Sequence, residues 1–89
     1  MSKKLVIANW KMNLDYSQAR ELSNMISINN FKNNLVVAPS NLFLEAVLKN
    51  CENNPQIMVS SQNVSEYENG AYTGEVSAKM LKSLGVSYC

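Results

Sequence analysis

Leu5-Val6-Ile7-Ala8, running directly into Asn9-Trp10-Lys11-Met12-Asn13, is the stretch that decides how this chain folds. Four apolar residues follow Lys3-Lys4 without any polar alternation, which is the pattern of a strand buried on both faces, as in a parallel sheet. The same pattern returns at Leu35-Val36-Val37-Ala38, where Pro39, which has no N–H to give a ladder, stops it. Between the two runs, Asp15 with Gln18 predicts a capping box, and Ala19, Leu22, Met25 and Ile26 recur at helical spacing until Asn29-Asn30. A second helix, capped by Ser40 or Asn41, carries Leu44, Val47, Leu48 and Cys51 on one stripe and ends in the 50–55 segment.

Further along, 56–61 predicts a third strand. From Gln62 to Glu75 there is no apolar period; the segment holds turn points at Asn69-Gly70, Gly70-Ala71 and Thr73-Gly74, with Tyr67 and Tyr72 exposed between charges. Connections of that length in a compact domain are functional or disordered. Val76, Met80, Leu81 and Leu84 then form a short helical stripe closed by Gly85, and Val86-Ser87-Tyr88-Cys89 begins a fourth strand.

Strands starting near residues 5, 35, 57 and 86 and alternating with helices imply an α/β domain of parallel strands joined by right-handed crossovers. A doubly wound sheet and a piece of a closed β/α barrel both satisfy this order. A last strand with no covering helix predicts that the domain continues past Cys89, so that residues 1–89 are an incomplete amino-terminal portion of one domain. Such an open sheet leaves an edge and a face of apolar surface without partners, and the isolated chain is expected to fold weakly.

Composition removes several classes of function. Of the 89 residues 46% are hydrophobic and 17% charged, and eight Lys+Arg against seven Asp+Glu leave a net charge of +1. Scattered cations balanced by anions cannot neutralise a row of phosphates, so no nucleic-acid partner is expected. The longest apolar run is far short of the roughly 18–20 residues of a membrane span, and the start Met-Ser-Lys-Lys lacks a signal peptide's apolar stretch. No membrane partner and a cytoplasmic location are expected. With no histidine and only Cys51 and Cys89, the chain offers no His-containing zinc site, no nucleophile–His pair and no disulfide scaffold. No metal is expected, and both thiols are expected to be free.

In either parallel architecture the functional edge lies at the carboxyl ends of the strands, which gathers 9–13, 39–41 and the segment from Gln62 onward. The only glycines are Gly70, Gly74 and Gly85, so neither a GxGxxG turn nor a Walker phosphate loop is present. The first segment offers instead a carboxamide and an ammonium two residues apart. In an extended conformation Asn9 and Lys11 point to the same side, placed to hold an anion, while Trp10 points the opposite way into the helix layer. The residues alone leave two readings of Lys11 open: a structural or solvated cation, or a charge facing substrate oxygens. Asn9 is equally at home as an ordinary end-of-strand turn residue.

Ile7-Ala8-Asn9-Trp10-Lys11-Met12-Asn13 closely resembles the opening strand and loop of the triosephosphate isomerase family. Gln62-Asn63-Val64-Ser65 with Gly70-Ala71-Tyr72-Thr73-Gly74-Glu75-Val76-Ser77 resembles that family's long third loop, and the likeness runs in register from Lys4 to Cys89. The resemblance implies the first three β/α units and the start of strand four of a (β/α)8 barrel, an architecture of about 250 residues. It also implies a cofactor-independent, homodimeric isomerase of glycolysis and gluconeogenesis, interconverting dihydroxyacetone phosphate and D-glyceraldehyde 3-phosphate through an enediolate.

Carried over residue by residue, the resemblance makes Asn9 and Lys11 substrate-binding residues, with Lys11 also catalytic through its charge near the phosphate and the developing oxyanion. Thr73 would reach the Asn9 and Lys11 region of a second subunit, and Met12 would lie in that interface. Glu75 would meet an arginine after strand four across the same contact, and Gln62 would be a buried polar residue supporting the Asn9 backbone. Read without the resemblance, Thr73 is a turn residue and Glu75 a helix N-terminal carboxylate favoured by the dipole. The family's histidine electrophile, glutamate base and mobile lid have no counterpart in this chain, which is expected to be inactive by itself. The alternative expectation is a non-catalytic product that associates with intact subunits through the third loop. A small doubly wound binding module would need a Gly-rich or acidic ligand turn, and none is visible.

Overall fold

Asp15 starts the first helix as its sequence predicts. Its Oδ1 accepts from the Gln18 N–H at 2.9 Å while Gln18 Oε1 accepts from the Asp15 N–H at 3.0 Å, so two helix-end donors are satisfied reciprocally. The computed structural model describes residues 4–89; Met1, Ser2 and Lys3, including half of the charged Lys3-Lys4 lead, lie outside the described residues. Within it run β1 (Leu5–Asn9), α1 (Tyr16–Ser27), β2 (Asn34–Ala38), a 3-10 turn (Asn41–Phe43) leading into α2 (Leu44–Cys51), β3 (Ile57–Val59) and α3 (Ala78–Leu84). The strands form one parallel sheet in the order β1-β2-β3, with Ile7 beside Val36 and Val37 beside Val59. An α/β architecture with crossover helices is therefore present. Among the described residues no helix is long and apolar enough to cross a membrane.

The core lies between the sheet and the helices. Val37, Ile57 and Val59 pack there with Ala19, Phe43, Leu44, Val47, Cys51 and Leu81, and the helical stripe read from α2 is buried at Leu44, Val47 and Cys51. Trp10 packs against the same cluster, as its parity predicts. Both cysteines are free, Cys51 buried and Cys89 exposed.

Five expectations need correction. β1 is not buried on both faces: Leu5, Val6 and Ile7 are 48%, 48% and 64% exposed, because β1 is an edge strand whose far side meets no described element. The face α1 turns inward carries Ala19 and Ile26 of the expected stripe together with the polar Ser23, whereas Met25 is exposed. Ser23 can be buried because its hydroxyl donates to Arg20 O at 2.9 Å and accepts from Asn50 Nδ2 at 2.9 Å, which ties α1 to α2. Neither Ser40 nor Asn41 caps α2 through its side chain; the 3-10 turn takes that place, closed by the Phe43 N–H on Ser40 O at 2.9 Å. Of the stripe on α3 only Leu81 is buried, while Met80 and Leu84 stay exposed. Finally, 86–89 forms a single parallel bridge, Ser60 to Tyr88, rather than a strand. Only the Ser87 N–H to Val59 O and the Ser61 N–H to Tyr88 O, both 3.0 Å, pair it with the sheet, too few to extend a ladder.

Candidate active-site turn

At the carboxyl end of β1 the chain leaves the sheet through a tight turn built on Lys11. The Trp10 N–H donates to Ala38 O at 3.0 Å and carries the ladder one residue past Asn9. Lys11 then adopts φ +55°, the one non-glycine positive φ among the described residues. A side chain bearing Cβ pays about 1–2 kcal/mol for this left-handed conformation, so the turn persists only where other bonds determine it.

Those bonds come from two carboxamides. Asn9 Oδ1 accepts the Lys11 N–H at 2.8 Å, and Gln62 Nε2 donates to Lys11 O at 2.8 Å and to Ala38 O at 2.9 Å. Both backbone polar groups of Lys11 are thereby held, one by a neighbour and one from the third strand end. The extended Asn9-Trp10-Lys11 geometry read from the sequence is thus replaced by a left-handed turn, since the Asn9 side chain folds back onto the chain. Gln62 also departs from expectation: it is half-buried rather than buried and supports Lys11 and Ala38 rather than the Asn9 backbone.

A second link joins the remaining loops. Asn41 Nδ2 donates to Asn63 Oδ1 at 3.1 Å, tying the turn after β2 to the segment after β3, and Asn41 Oδ1 is buried without a partner. The three strand ends predicted to meet do meet. The sequence offers Asn41 as a helix cap and Asn63 as part of the third-loop likeness, and neither reading foresees this bond; its one signal is two amides, each within a few residues of a strand end.

The Lys11 ammonium projects from this fixed turn into solvent, and Met12 beside it is 95% exposed. Thr73 and Glu75 are exposed on the 62–75 segment, and no hydrogen bond among the described residues joins their side chains to Asn9, Lys11 or Gln62. The structure therefore assembles Asn9, Lys11 and Gln62 and leaves Met12, Thr73 and Glu75 facing outward. Among the described residues no group of three His, Cys, Asp or Glu is arranged to hold a metal ion. Chemically, the turn offers a lysine on a fixed backbone beside a carboxamide, an arrangement for an oxyanion or phosphate.

The sequence profile of the triosephosphate isomerase family matches residues 4–89. The chain belongs to that family. It is 40% identical to a triosephosphate isomerase of Francisella philomiragia over 89 residues, covering 97% of this chain and 34% of the relative. With a triosephosphate isomerase of Flavobacterium psychrophilum it shares 40% identity over 91 residues, 98% of this chain and 36% of the relative. One from Mesomycoplasma hyopneumoniae is 34% identical over 94 residues, 97% and 38%. The chain thus spans about a third of the length of the curated relatives it matches.

Proposed function

We propose that residues 1–89 are the amino-terminal portion of a single (β/α)8 barrel of a homodimeric, cytoplasmic triose-phosphate isomerase. In this reading the enzyme interconverts dihydroxyacetone phosphate and D-glyceraldehyde 3-phosphate through an enediolate, and this chain holds part of its substrate site. The observation that carries the reading is Lys11 in its left-handed turn, clamped through both backbone groups by Asn9 and Gln62. A backbone fixed before substrate arrives launches the Lys11 side chain from a set point, and a cation so placed stabilises developing negative charge at a small cost in reorganisation. Lys11 would neutralise phosphate and enediolate oxygens, and Asn9, whose Oδ1 is already engaged by the turn, would offer its NH2 to substrate. Thr73, Glu75 and Met12 would form the contact with a second subunit, consistent with their outward exposure.

The chain contains no histidine, and in this reading the base and electrophile implied by the resemblance would be supplied from outside residues 1–89. Purified 89-residue chain is expected to show no isomerase activity above background; turnover without any complementing segment would overturn the proposal. A chimera in which this chain replaces the matching third of the Francisella philomiragia relative should turn over, and Lys11→Met in that chimera should cost about 100-fold or more in kcat. An active chimera indifferent to Lys11→Met would remove the assigned role.

A second reading is favoured by the exposed, internally hydrogen-bonded third loop: a non-catalytic product that pairs with intact subunits. Mixing the chain with the intact relative and looking for heteromers separates the two readings, and no association removes the second.

A further inference from the structure

The long connection read from the sequence over 62–75 is internally braced within residues 65–77. Its base is closed by the Ser65 N–H on Val76 O at 2.8 Å and a parallel bridge between Ser65 and Ser77, and the Tyr67 N–H bonds Ser65 Oγ at 3.1 Å. Within the closed base the Tyr67 and Tyr72 rings stack with centroids 4.1 Å apart and planes inclined by 2°. Between them Gly70 has φ +127°, and a Cβ there would lie 2.8 Å from Tyr72 Cε2. Any larger residue at 70 is therefore both strained and in the space of the stacked ring. Neither phenol has a hydrogen-bond partner among the described residues, so planarity rather than the hydroxyl is what the loop uses.

Tyr72 has a second task. The Glu75 N–H donates to Tyr72 O at 3.0 Å, which makes Tyr72-Thr73-Gly74-Glu75 a β-turn, and Gly74 at its third place has φ +88° as a type II turn requires. The residue whose ring is stacked is thus the first residue of the turn that presents Thr73 at its corner. Holding the ring in the stack restrains where that turn sits.

We propose that Tyr67, Gly70 and Tyr72 are positioning residues that hold Thr73-Gly74-Glu75 in its docking shape before a second subunit of the same family arrives. This rests on the interface role given above to Thr73 and Glu75. A loop ordered in advance loses less conformational freedom on docking and so binds more tightly through the same contacts.

The test uses the 89-residue chain with Tyr67→Leu, Tyr67→Phe and Gly70→Ala, read by amide exchange of Glu75, near-ultraviolet tyrosine dichroism and affinity for the immobilised intact Francisella philomiragia relative. Tyr67→Leu and Gly70→Ala should abolish the dichroic signature of the stack, speed Glu75 exchange about tenfold and weaken association about three- to tenfold. Tyr67→Phe should match wild type in exchange and affinity. Protection of the Val47 amide, in the core, reports whether each variant is folded, and Tyr72→Leu repeats the test from the other ring should Tyr67→Leu lower it. Unchanged Glu75 exchange in Tyr67→Leu overturns the brace. Faster exchange with unchanged affinity overturns the positioning role. If the wild-type chain itself fails to associate, docking by the free chain falls and the positioning role with it, whereas the interface given to Thr73 and Glu75 in the full-length reading stands and the exchange measurement still decides whether the brace exists.

Discussion

β1 and β2 lie side by side in parallel register, each a short apolar run, and their fates differ. Ile7 is 64% exposed while Val36, its register partner, is 1% exposed. Both strands leave the sheet at the same edge, and Gln62 bonds the turn after one and the last carbonyl of the other. What differs is the neighbour on the second side: among the described residues β2 has β1 and β3, and β1 has only β2. Burial of a strand is a property of the pair of strands beside it and the layer above it, and hydrophobicity supplies only the capacity for it.

The largest blow to this comparison should come from Val37→Ala, which empties space between Val59 and the helices and should cost about 1.5–3 kcal/mol by urea unfolding. A loss below about 0.5 kcal/mol would mean that β2 is not the buried centre.

A smaller effect concerns Cys51, in the helix layer over β3. Burial pushes its thiol above the ordinary 9.0. The folded chain keeps that proton where the unfolded chain has lost it, so stability should fall as pH rises from about 9 toward the folded value, by at most about 1.4 kcal/mol per pH unit. Cys51→Ala should lose this contribution to the slope. Equal slopes above pH 9 for the two chains would place the thiol outside the core.

The smallest effect sharpens the contrast from the other side. Ile7→Ser in the 89-residue chain should change stability by less than about 0.5 kcal/mol, since the side chain is already in water. A cost approaching that of Val37→Ala would show that β1 is covered in solution.

Features written in local chemistry were legible in the sequence. The Asp15–Gln18 box, the Leu44-Val47-Cys51 stripe and the Gly85 stop at φ +103° each depend on residues a few positions apart. The grouping of Asn9, Lys11 and Gln62 followed from strand order and from resemblance. Distant partners hid the rest. The burial of Ser23 rests in part on Asn50, which comes to its hydroxyl from the next helix, and the Lys11 turn is unreadable without Gln62, 51 positions on. The exposure of β1 depends on what lies beyond its free edge, which no pattern within residues 5–8 encodes. The Tyr67–Tyr72 stack belongs to an irregular loop, where ring spacing has no period to betray it.

The long reach of Gln62 also sets an order in time. During synthesis the chain emerges from its amino end, and Lys11 is available long before the amide that captures its carbonyl. Until β3 has docked beside β2 and brought Gln62 to Ala38 O, nothing holds the Lys11 carbonyl, and the strained φ has only the Asn9 side chain in its favour. The cationic turn is therefore among the last parts of this region to acquire its shape, although its residues are among the first to be made.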